Sequence, residues 1–545
     1  MRMRLTTFFA AALATASSVA MVSAQEAQRP NVLLILADDL GYSDIGAYGG
    51  EISTPNMDAL AADGMMFTNF YTQASCAPTR AMLMSGLDNH LVGVGQQSPI
   101  PIHVEMRPGY EAKLNHRIAT MPELLQDAGY RTIMAGKWHL GSEPSRQPHK
   151  RGFDESLAIL EAGSAHFNQK QMGVLQGYGF TFLENGKPVE LPEDFYTTTY
   201  FTDYLINTIG EGGEEPFFAY AAYTSPHWPV QAPDSFLEAQ RGNYDAGYDV
   251  IANQRLDRQR ELGLAPQSDE PRRFMDGHRP WDTLTDEKKA FSARKMEAYA
   301  AMVANLDHEI GRLIDHLKST DQYDNTFIMV LSDNGAEGVA RGRPDWIAAQ
   351  NFDNSLENVG RKNSFIEMGP EWAQVSSTPF RSVKYTAFEG GNHVPAIAHF
   401  PKNIAPGRTD AIATVRDLLP TFLELAGTGH PGIKFKERDI FPISGSSMVP
   451  HLFGEDDTIH DDDAAFGWEL NLFSSLRKGD WKLAFVPAVS DQFQLFDLSS
   501  PEGEWKDRME ENPDKAREMM RLWKAFVKSN NVEVDDQLRP ASARR

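Results

Sequence analysis

Short, unbroken runs of apolar residues alternate along the chain with longer stretches in which apolar residues recur at helical spacing. An unbroken run is typical of a strand that is buried on both faces, and the helical spacing predicts a helix with one face against a core. The alternation predicts an α/β fold, with a mixed, mostly parallel sheet sandwiched by helices. The predicted strands are residues 31–37, 65–73, 130–135, 216–223 and 326–331, and the predicted helices are 55–63, 121–128, 286–318 and 416–426.

The pattern changes beyond about residue 440, where shorter strand-like segments replace the earlier long elements. We therefore expect two domains, a large one over residues 25–440 and a smaller α+β domain over residues 441–545. The polar, charge-rich residues 240–285 predict an irregular surface excursion from the large domain. The predicted strands of the smaller domain are residues 464–470, 481–486 and 493–498, and its predicted helix is 513–528.

Residues 1–24 are typical of a secretory signal peptide rather than of a folded element. Arg2 and Arg4 precede a mostly apolar stretch, and the small residues that end at Ala24 fit a cleavage site. We therefore expect export, to a periplasm or beyond the cell. No other segment looks apolar enough to span a bilayer, so we expect no membrane anchor after the signal is removed. The formal net charge of −23 argues against a nucleic-acid partner.

Polar side chains follow two of the predicted strands, at the edge where ligands bind in parallel sheets. Asp38 and Asp39 come after the first strand, and Asp333 and Asn334 come after the strand that ends near residue 331. Three carboxylates and an amide form an all-oxygen ligand set, which suits a hard divalent cation such as Ca²⁺ or Mg²⁺. Each segment is also a good turn sequence, so a purely structural role stays open.

Five cationic or imidazole side chains lie in or near similar loops. Together they would offer positive charge to an oxyanion and a proton to a leaving oxygen. Each one alone is equally typical of a solvated lysine, a buried arginine or a histidine with ordinary partners. These residues are Arg80, Lys137, His139, His227 and Lys384.

Cys76 is the only cysteine of the 545 residues, so it has no partner for an intramolecular disulfide. It lies just before an apolar run that predicts a helix starting near Pro78. A single free cysteine is often a small buried hydrophobic residue, and that interpretation stays open on this segment alone.

Residues 76–80, Cys-Ala-Pro-Thr-Arg, match the Cys-x-Pro-x-Arg signature of the formylglycine-dependent sulfatases. The chain resembles the bacterial arylsulfatases of that family over nearly its whole mature length. The resemblance implies an alkaline-phosphatase-like fold and hydrolysis of sulfate monoesters, either aryl sulfates or sulfated glycans. The supporting segments are residues 29–33, 37–41, 136–141, 222–229, 332–337 and 390–391.

The resemblance also implies a mechanism. A separate formylglycine-generating enzyme would convert Cys76 to an aldehyde, whose hydrate attacks the sulfur of the substrate and leaves a covalent sulfate at position 76. His227 and Lys384 would protonate the leaving oxygen, and His139 would be the base that releases the sulfate. Arg80, Lys137 and Lys384 would neutralise the developing charge. The implied Ca²⁺ ligands are Asp38, Asp39, Asp333, Asn334 and the modified Cys76.

Two other functions stay open at this stage. One is hydrolysis of phosphonate monoesters or phosphodiesters by the same modified residue, because those substrates have similar charge and shape. The other is a non-catalytic protein that binds sulfate or glycans, in which Cys76 stays a thiol. We expect residues 95–115, 160–200 and 240–285 to shape the substrate entrance.

Overall fold

The computed structural model describes residues 29–97, 107–169, 180–338, 349–487 and 489–533. The predicted signal peptide lies outside these ranges. Within them, no helix is both long enough and apolar enough to cross a membrane. The strands are β1 Asn31–Ala37, β2 Met65–Tyr71, β3 Arg131–Lys137, β4 Glu155–Ile159, β5 Phe182–Glu184, β6 Lys187–Pro188, β7 Phe217–Ala222, β8 Thr326–Ser332, β9 His393–His399, β10 Gly407–Thr409, β11 Ala413–Thr414, β12 Lys434–Phe435, β13 Arg438–Asp439, β14 Phe466–Leu470, β15 Phe473–Lys478, β16 Trp481–Phe485 and β17 Gln494–Asp497.

Several helices begin at residues that the sequence marks as starts. Thr120 and Glu123 form a capping box at one of them, and the Thr285 side chain accepts from the backbone of Lys288 at the start of the longest. The helices are α1 Pro55–Asp63, α2 Cys76–Ser85, α3 Met121–Asp127, α4 Thr197–Gly210, α5 Asp234–Ala239, α6 Tyr248–Glu261, α7 Asp286–Ser319, α8 Pro370–Ser376, α9 Glu389–Asn392, α10 Leu418–Leu425, α11 Val449–Leu452 and α12 Pro513–Ser529.

The main sheet has eleven strands among the described residues, in the order β10-β2-β9-β8-β1-β7-β3-β4-β5-β6, with β11 also paired to β2. The central run from β8 to β4 is parallel throughout, whereas β9 is antiparallel to both of its neighbours. The sheet is therefore mixed and mostly parallel, as predicted.

Strand β1 explains the three-layer arrangement. Its side chains alternate between the two faces of the sheet, and all of them are buried. Leu33 and Ile35 belong to the core that α1, α4 and α7 cover, while Val32 and Leu34 belong to the core under α2, α3 and α10. The fold class, with helices on both faces of the sheet, is thus confirmed.

A second, smaller sheet follows in the C-terminal region. Strands β14 to β17 form an antiparallel meander, and Trp523 and Met519 of α12 pack against Leu476 and Leu483. The predicted small α+β domain is confirmed, although the sequence pattern missed β15. The predicted division at residue 440 stays a prediction.

Two local predictions were wrong. Residues 240–285 are not irregular throughout, because α6 occupies residues 248–261. Its Arg255 is buried between Asp44 and Glu51, at 2.6 and 2.7 Å. Helix α2 begins at Cys76 and not near Pro78, so the cysteine is the first residue of the helix.

Candidate active site

The carboxyl ends of four parallel strands bring distant segments of the chain together. β1 is paired with both β7 and β8, and β3 with β7, so all four end at the same edge. The turns that follow are tied to one another, since Asp38 N donates to Ser225 O and Asp333 N donates to Ala37 O, each at 3.0 Å. The loops that carry the predicted site residues are therefore fixed by the sheet itself.

Backbone geometry at this edge depends on one glycine and two strained residues. A Cβ at Gly136, whose φ is +121°, would lie 1.8 Å from the carbonyl oxygen of Ala222. Only glycine permits this close approach of β3 to β7, just before Lys137. Asp39 and His139 have φ of 69° and 56°, which is rare for residues with side chains. Such strain is typical of functional sites.

Buried oxygens converge at the centre of the site. Side-chain atoms of Asp38, Asp39, Asp333 and Cys76 all lie within 4.8 Å of one another. Asp38 Oδ1, Asp39 Oδ2 and Asn334 Oδ1 accept no hydrogen bond from any residue that the structure describes. Buried polar atoms are rarely left without partners, so three such oxygens together indicate a site for a cation.

Two buried cations hold the carboxylates in place. Arg80 donates through Nε and Nη2 to Asp333 Oδ2, at 3.0 and 2.8 Å, and through Nη1 to the carbonyl of Lys137. Lys137 Nζ lies 2.6 Å from Asp38 Oδ2. Burial and the neighbouring Asp38 nevertheless raise the pKa of Asp333 to about 6, because the carboxylates repel one another.

Cys76 faces the same cluster from the start of α2. Its side chain is almost fully buried, and burial raises the pKa of its thiol well above the usual range. Lys384 Nζ lies 3.2 Å from Cys76 Sγ and 2.5 Å from Asp39 Oδ1. Burial opposes the charge on Asp39, but Lys384 and the other cations outweigh that effect and lower its pKa to about 2.

The two predicted histidines lie beside the cluster as neutral side chains. His227 Nδ1 faces the carbonyl of Trp228 at 2.5 Å, which leaves Nε2 toward Asp39 Oδ2 at 3.7 Å. Burial lowers the pKa of His227 to about 3, and Lys137 and Lys384 add to this effect. Burial and the same lysines also lower the pKa of His139.

The sequence analysis did not assign a role to Glu337. This carboxylate is buried, and its Oε2 lies 3.0 Å from Lys384 Nζ. It also lies within 4.8 Å of the nearest side-chain atoms of Asp39 and His227. Glu337 ends the segment 332–337 that supports the family resemblance. Its position just after Asp333 and Asn334 was the sequence feature that could have identified it.

All the predicted site residues lie at this one edge of the sheet. Nine are linked by direct side-chain contacts, and His139 is close enough for the charges of Arg80 and Lys137 to lower its pKa. Their chemical roles are not determined by position alone. The nine residues are Asp38, Asp39, Cys76, Arg80, Lys137, His227, Asp333, Asn334 and Lys384.

Comparisons with known proteins point in one direction. The sequence profile of the family called Sulfatase matches residues 30–428. An uncharacterised sulfatase of Schizosaccharomyces pombe is 43% identical over 530 residues, which cover 93% of this chain and 95% of that protein. An arylsulfatase of Klebsiella aerogenes is 38% identical over 448 residues, covering 80% and 96%. The crystal structure of Ps i-CgsB in complex with k-i-k-neocarrahexaose is similar at a TM-score of 0.65, with 26% identity and 95% of each chain covered.

Proposed function

Because this chain belongs to the sulfatase family, it hydrolyses sulfate esters, and we propose that it does so with a formylglycine made from Cys76 and a neighbouring Ca²⁺ ion. The observation that carries the proposal is the group of three buried oxygens without hydrogen-bond partners beside Cys76. A cation is needed there to compensate buried carboxylates that repel one another.

The donor set fits Ca²⁺. Asp38, Asp39, Asp333 and Asn334 would hold the ion, because Ca²⁺ prefers carboxylate and amide oxygens whereas Zn²⁺ usually recruits histidine or thiolate. When bound, the ion would neutralise part of the negative charge of the sulfate group.

A chemical change at Cys76 is favoured by the state of the thiol. Burial keeps this side chain protonated, and a protonated thiol is a poor nucleophile. The Pro78 and Arg80 context is the signature that a formylglycine-generating enzyme would read, so that enzyme is a proposed partner. The hydrated aldehyde would supply an oxygen nucleophile at the start of α2.

The neighbouring side chains would each have a part in the reaction. Lys384 Nζ lies 3.2 Å from Cys76 Sγ, and we assign it to protonation of the leaving oxygen, with the neutral His227 beside it as its partner. Arg80 and Lys137 would stabilise the negative charge of the transferring sulfate group. His139 is the proposed base for release of sulfate.

Export is a further part of the proposal. The arginines and apolar residues within residues 1–24 favour a signal peptide, and we propose a periplasmic or secreted enzyme. We also propose that the catalytic domain extends to about residue 440, with the α+β domain after it.

The proposal is tested by mass spectrometry and kinetics on one preparation. The peptide that contains residue 76 should be about 18 Da lighter than its cysteine form, because a CH₂SH group becomes CHO. The same preparation should hydrolyse 4-nitrophenyl sulfate more efficiently than a phenyl phosphonate ester. A chelator should remove this activity and Ca²⁺ should restore it.

Cys76→Ala is the matched control, because it removes only the reacting group. It should lose turnover and keep its fold. Full activity of a preparation whose residue 76 is an unmodified thiol would refute the proposed nucleophile.

A further inference from the structure

A second charged cavity lies away from the candidate active site. It has a volume of about 530 Å³ and three walls. One wall is α6 and the segment that follows it, the second is formed by residues 379–393, and the third belongs to the C-terminal domain. None of the proposed catalytic or metal-binding residues lines it. The cavity is therefore a separate feature of the molecule, and the established reaction does not account for it.

Arginines are concentrated on its walls. Arg272, Arg273 and Arg381 form no ion pair of 4 Å or less with any residue that the structure describes. Arg272 is buried and donates to the Thr378 hydroxyl and to three backbone carbonyls, none of which carries a full negative charge. The carbonyls are those of Arg273, Gln374 and Phe380. Burial lowers the pKa of Arg272 to about 9 and also lowers that of Arg381.

The acidic residues at the cavity have other partners or lie in solvent. Glu389 and Glu504 share Lys482, at 2.6 and 3.0 Å. Glu502 pairs with Arg508 at 3.2 Å. The remaining two are Glu270 and Asp480, whose side chains are exposed.

The guanidinium groups differ in how they are presented. Arg381 is half-buried and stacked on the rings of Phe388 and Trp505, with its Cζ atom 4.1 and 4.8 Å from the two ring centres. The stacking and the bonds from Nη1 to the carbonyl of Glu504 and from Nε to Met275 Sδ fix the orientation of this guanidinium group. Its Nη2 donates to no residue that the structure describes and is the donor available to an oxyanion.

Arg273 lines the cavity, and its side chain is exposed. The chain as a whole carries a net charge of −23, so three arginines without a close ion pair to any described residue are unusual here, and the negative charges that act on Arg381, those of Glu504 and Asp276, do so from farther away.

We propose that this cavity is a second oxyanion-binding site, which takes a sulfate group through Arg272, Arg273 and Arg381. The sulfate comes from one of two sources, free inorganic sulfate or a second sulfate ester on a polysulfated saccharide. The saccharide source rests on the proposed function, since it requires that the enzyme acts on sulfated glycans. The volume accommodates a sulfated sugar unit as well as the free ion.

Direct binding tests the site without turnover. The full chain with Cys76→Ala is titrated by calorimetry with inorganic sulfate and with a disaccharide that carries two sulfate esters. Adding Arg273→Ala should weaken binding about tenfold, which is the effect of one lost charge-assisted hydrogen bond. Arg381→Ala should act in the same direction, and it is the second variant because its side chain is also packed. Arg258→Ala removes the same charge from exposed α6 outside the cavity and should change binding less than about twofold.

The outcomes separate the two sources. Weaker binding of both probes assigns the site to sulfate from either source, and weaker binding of the disaccharide alone assigns it to the ester of a substrate. Unchanged affinity for both probes in Arg273→Ala and Arg381→Ala overturns the proposal. With Cys76 intact, both arginine variants should retain their activity on 4-nitrophenyl sulfate. Absence of that activity in the unmodified protein would count against the proposed function and not against the second site.

Discussion

Two clusters of buried charge in this molecule differ in how their carboxylates are satisfied. In the interface cluster, which joins the two domains, Lys482 lies between Glu389 and Glu504. Each of their four oxygens faces a donor or a cation within 3.0 Å, including Tyr71 OH and the backbone N–H of Glu389. Three of the four oxygens accept a hydrogen bond, and the fourth, Glu504 Oε1, lies 3.0 Å from Lys482 Nζ, so each oxygen has a compensating partner.

The site cluster at the end of the main sheet is different. Asp38 Oδ1 lies 4.0 Å from Arg80 Nη2, and Asp39 Oδ2 lies 3.7 Å from His227 Nε2. Both clusters are equally buried, so burial alone does not identify a functional site. Single buried atoms without hydrogen bonds also occur elsewhere in the described residues. The site cluster differs because three such oxygens, from Asp38, Asp39 and Asn334, converge beside Cys76, which favours a ligand there.

The largest expected effect is on the site cluster. The double substitution Asp38→Asn, Asp39→Asn removes two charges that face the proposed cation, and kcat/KM should fall by about 10⁴-fold, equal to about 5.5 kcal/mol. The measurement is hydrolysis of 4-nitrophenyl sulfate. Ca²⁺ should raise the Tm of the unmodified protein but not that of the double variant. An undiminished Ca²⁺ shift in the variant would contradict this ligand assignment.

Substitution in the interface cluster should lower the stability of the protein rather than its activity. Lys482→Met leaves Glu389 and Glu504 buried without their shared cation, and it should lower the free energy of unfolding by about 3–5 kcal/mol. Urea unfolding measures this, and kcat/KM of the folded protein should change less than about twofold. Adding Glu389→Gln and Glu504→Gln to Lys482→Met is the matched control and should restore much of the stability. A lost Ca²⁺ response in Lys482→Met would break the distinction between the clusters.

The pH dependence of stability gives a smaller effect. Burial and the neighbouring Glu389 raise the pKa of Glu504 to about 7 from its usual 4.5. The folded protein therefore holds this proton more tightly, so the contribution of Glu504 to stability is present below pH 4.5 and is lost as the pH rises through 7. Relative to Glu504→Gln, the unmodified protein should lose no more than about 3 kcal/mol over this window. The free energy of unfolding is measured in urea for both proteins at the two ends of this pH window. An equal change with pH in the two proteins would show that Glu504 does not carry the effect.

The smallest expected effect concerns Glu337. Glu337→Gln keeps the shape but removes a charge 3.0 Å from Lys384 Nζ, and it should lower kcat/KM about tenfold by loosening the position of that lysine. Thr199→Ala is the control for general packing. The Thr199 hydroxyl donates to another buried glutamate, Glu309, which is not among the site residues. Equal losses in the two variants would assign Glu337 to structure only.

Local sequence patterns were sufficient for most of the sheet and for the oxygen ligands. β1 and β8 are unbroken apolar runs, and their polar ends meet because parallel strands end at one edge. Helix α6 was missed because its few apolar residues do not form a clear stripe along one face. In addition, the buried charge of Arg255 is compensated by acidic residues about 200 positions away in the sequence. Lys384 was among the predicted site residues, but its partner Glu337 was missed because only the fold brings the two side chains together.

The burial of Cys76 has a consequence for the proposed modification. In the folded molecule only 2% of this residue is exposed, at the first turn of a helix that the sheet and α10 enclose. An oxidising enzyme that must grasp the surrounding Pro and Arg has no route to them once the strands have assembled. Under the proposed function, the conversion of Cys76 would have to precede folding, and a chain that folded first would keep an unmodified and inactive thiol.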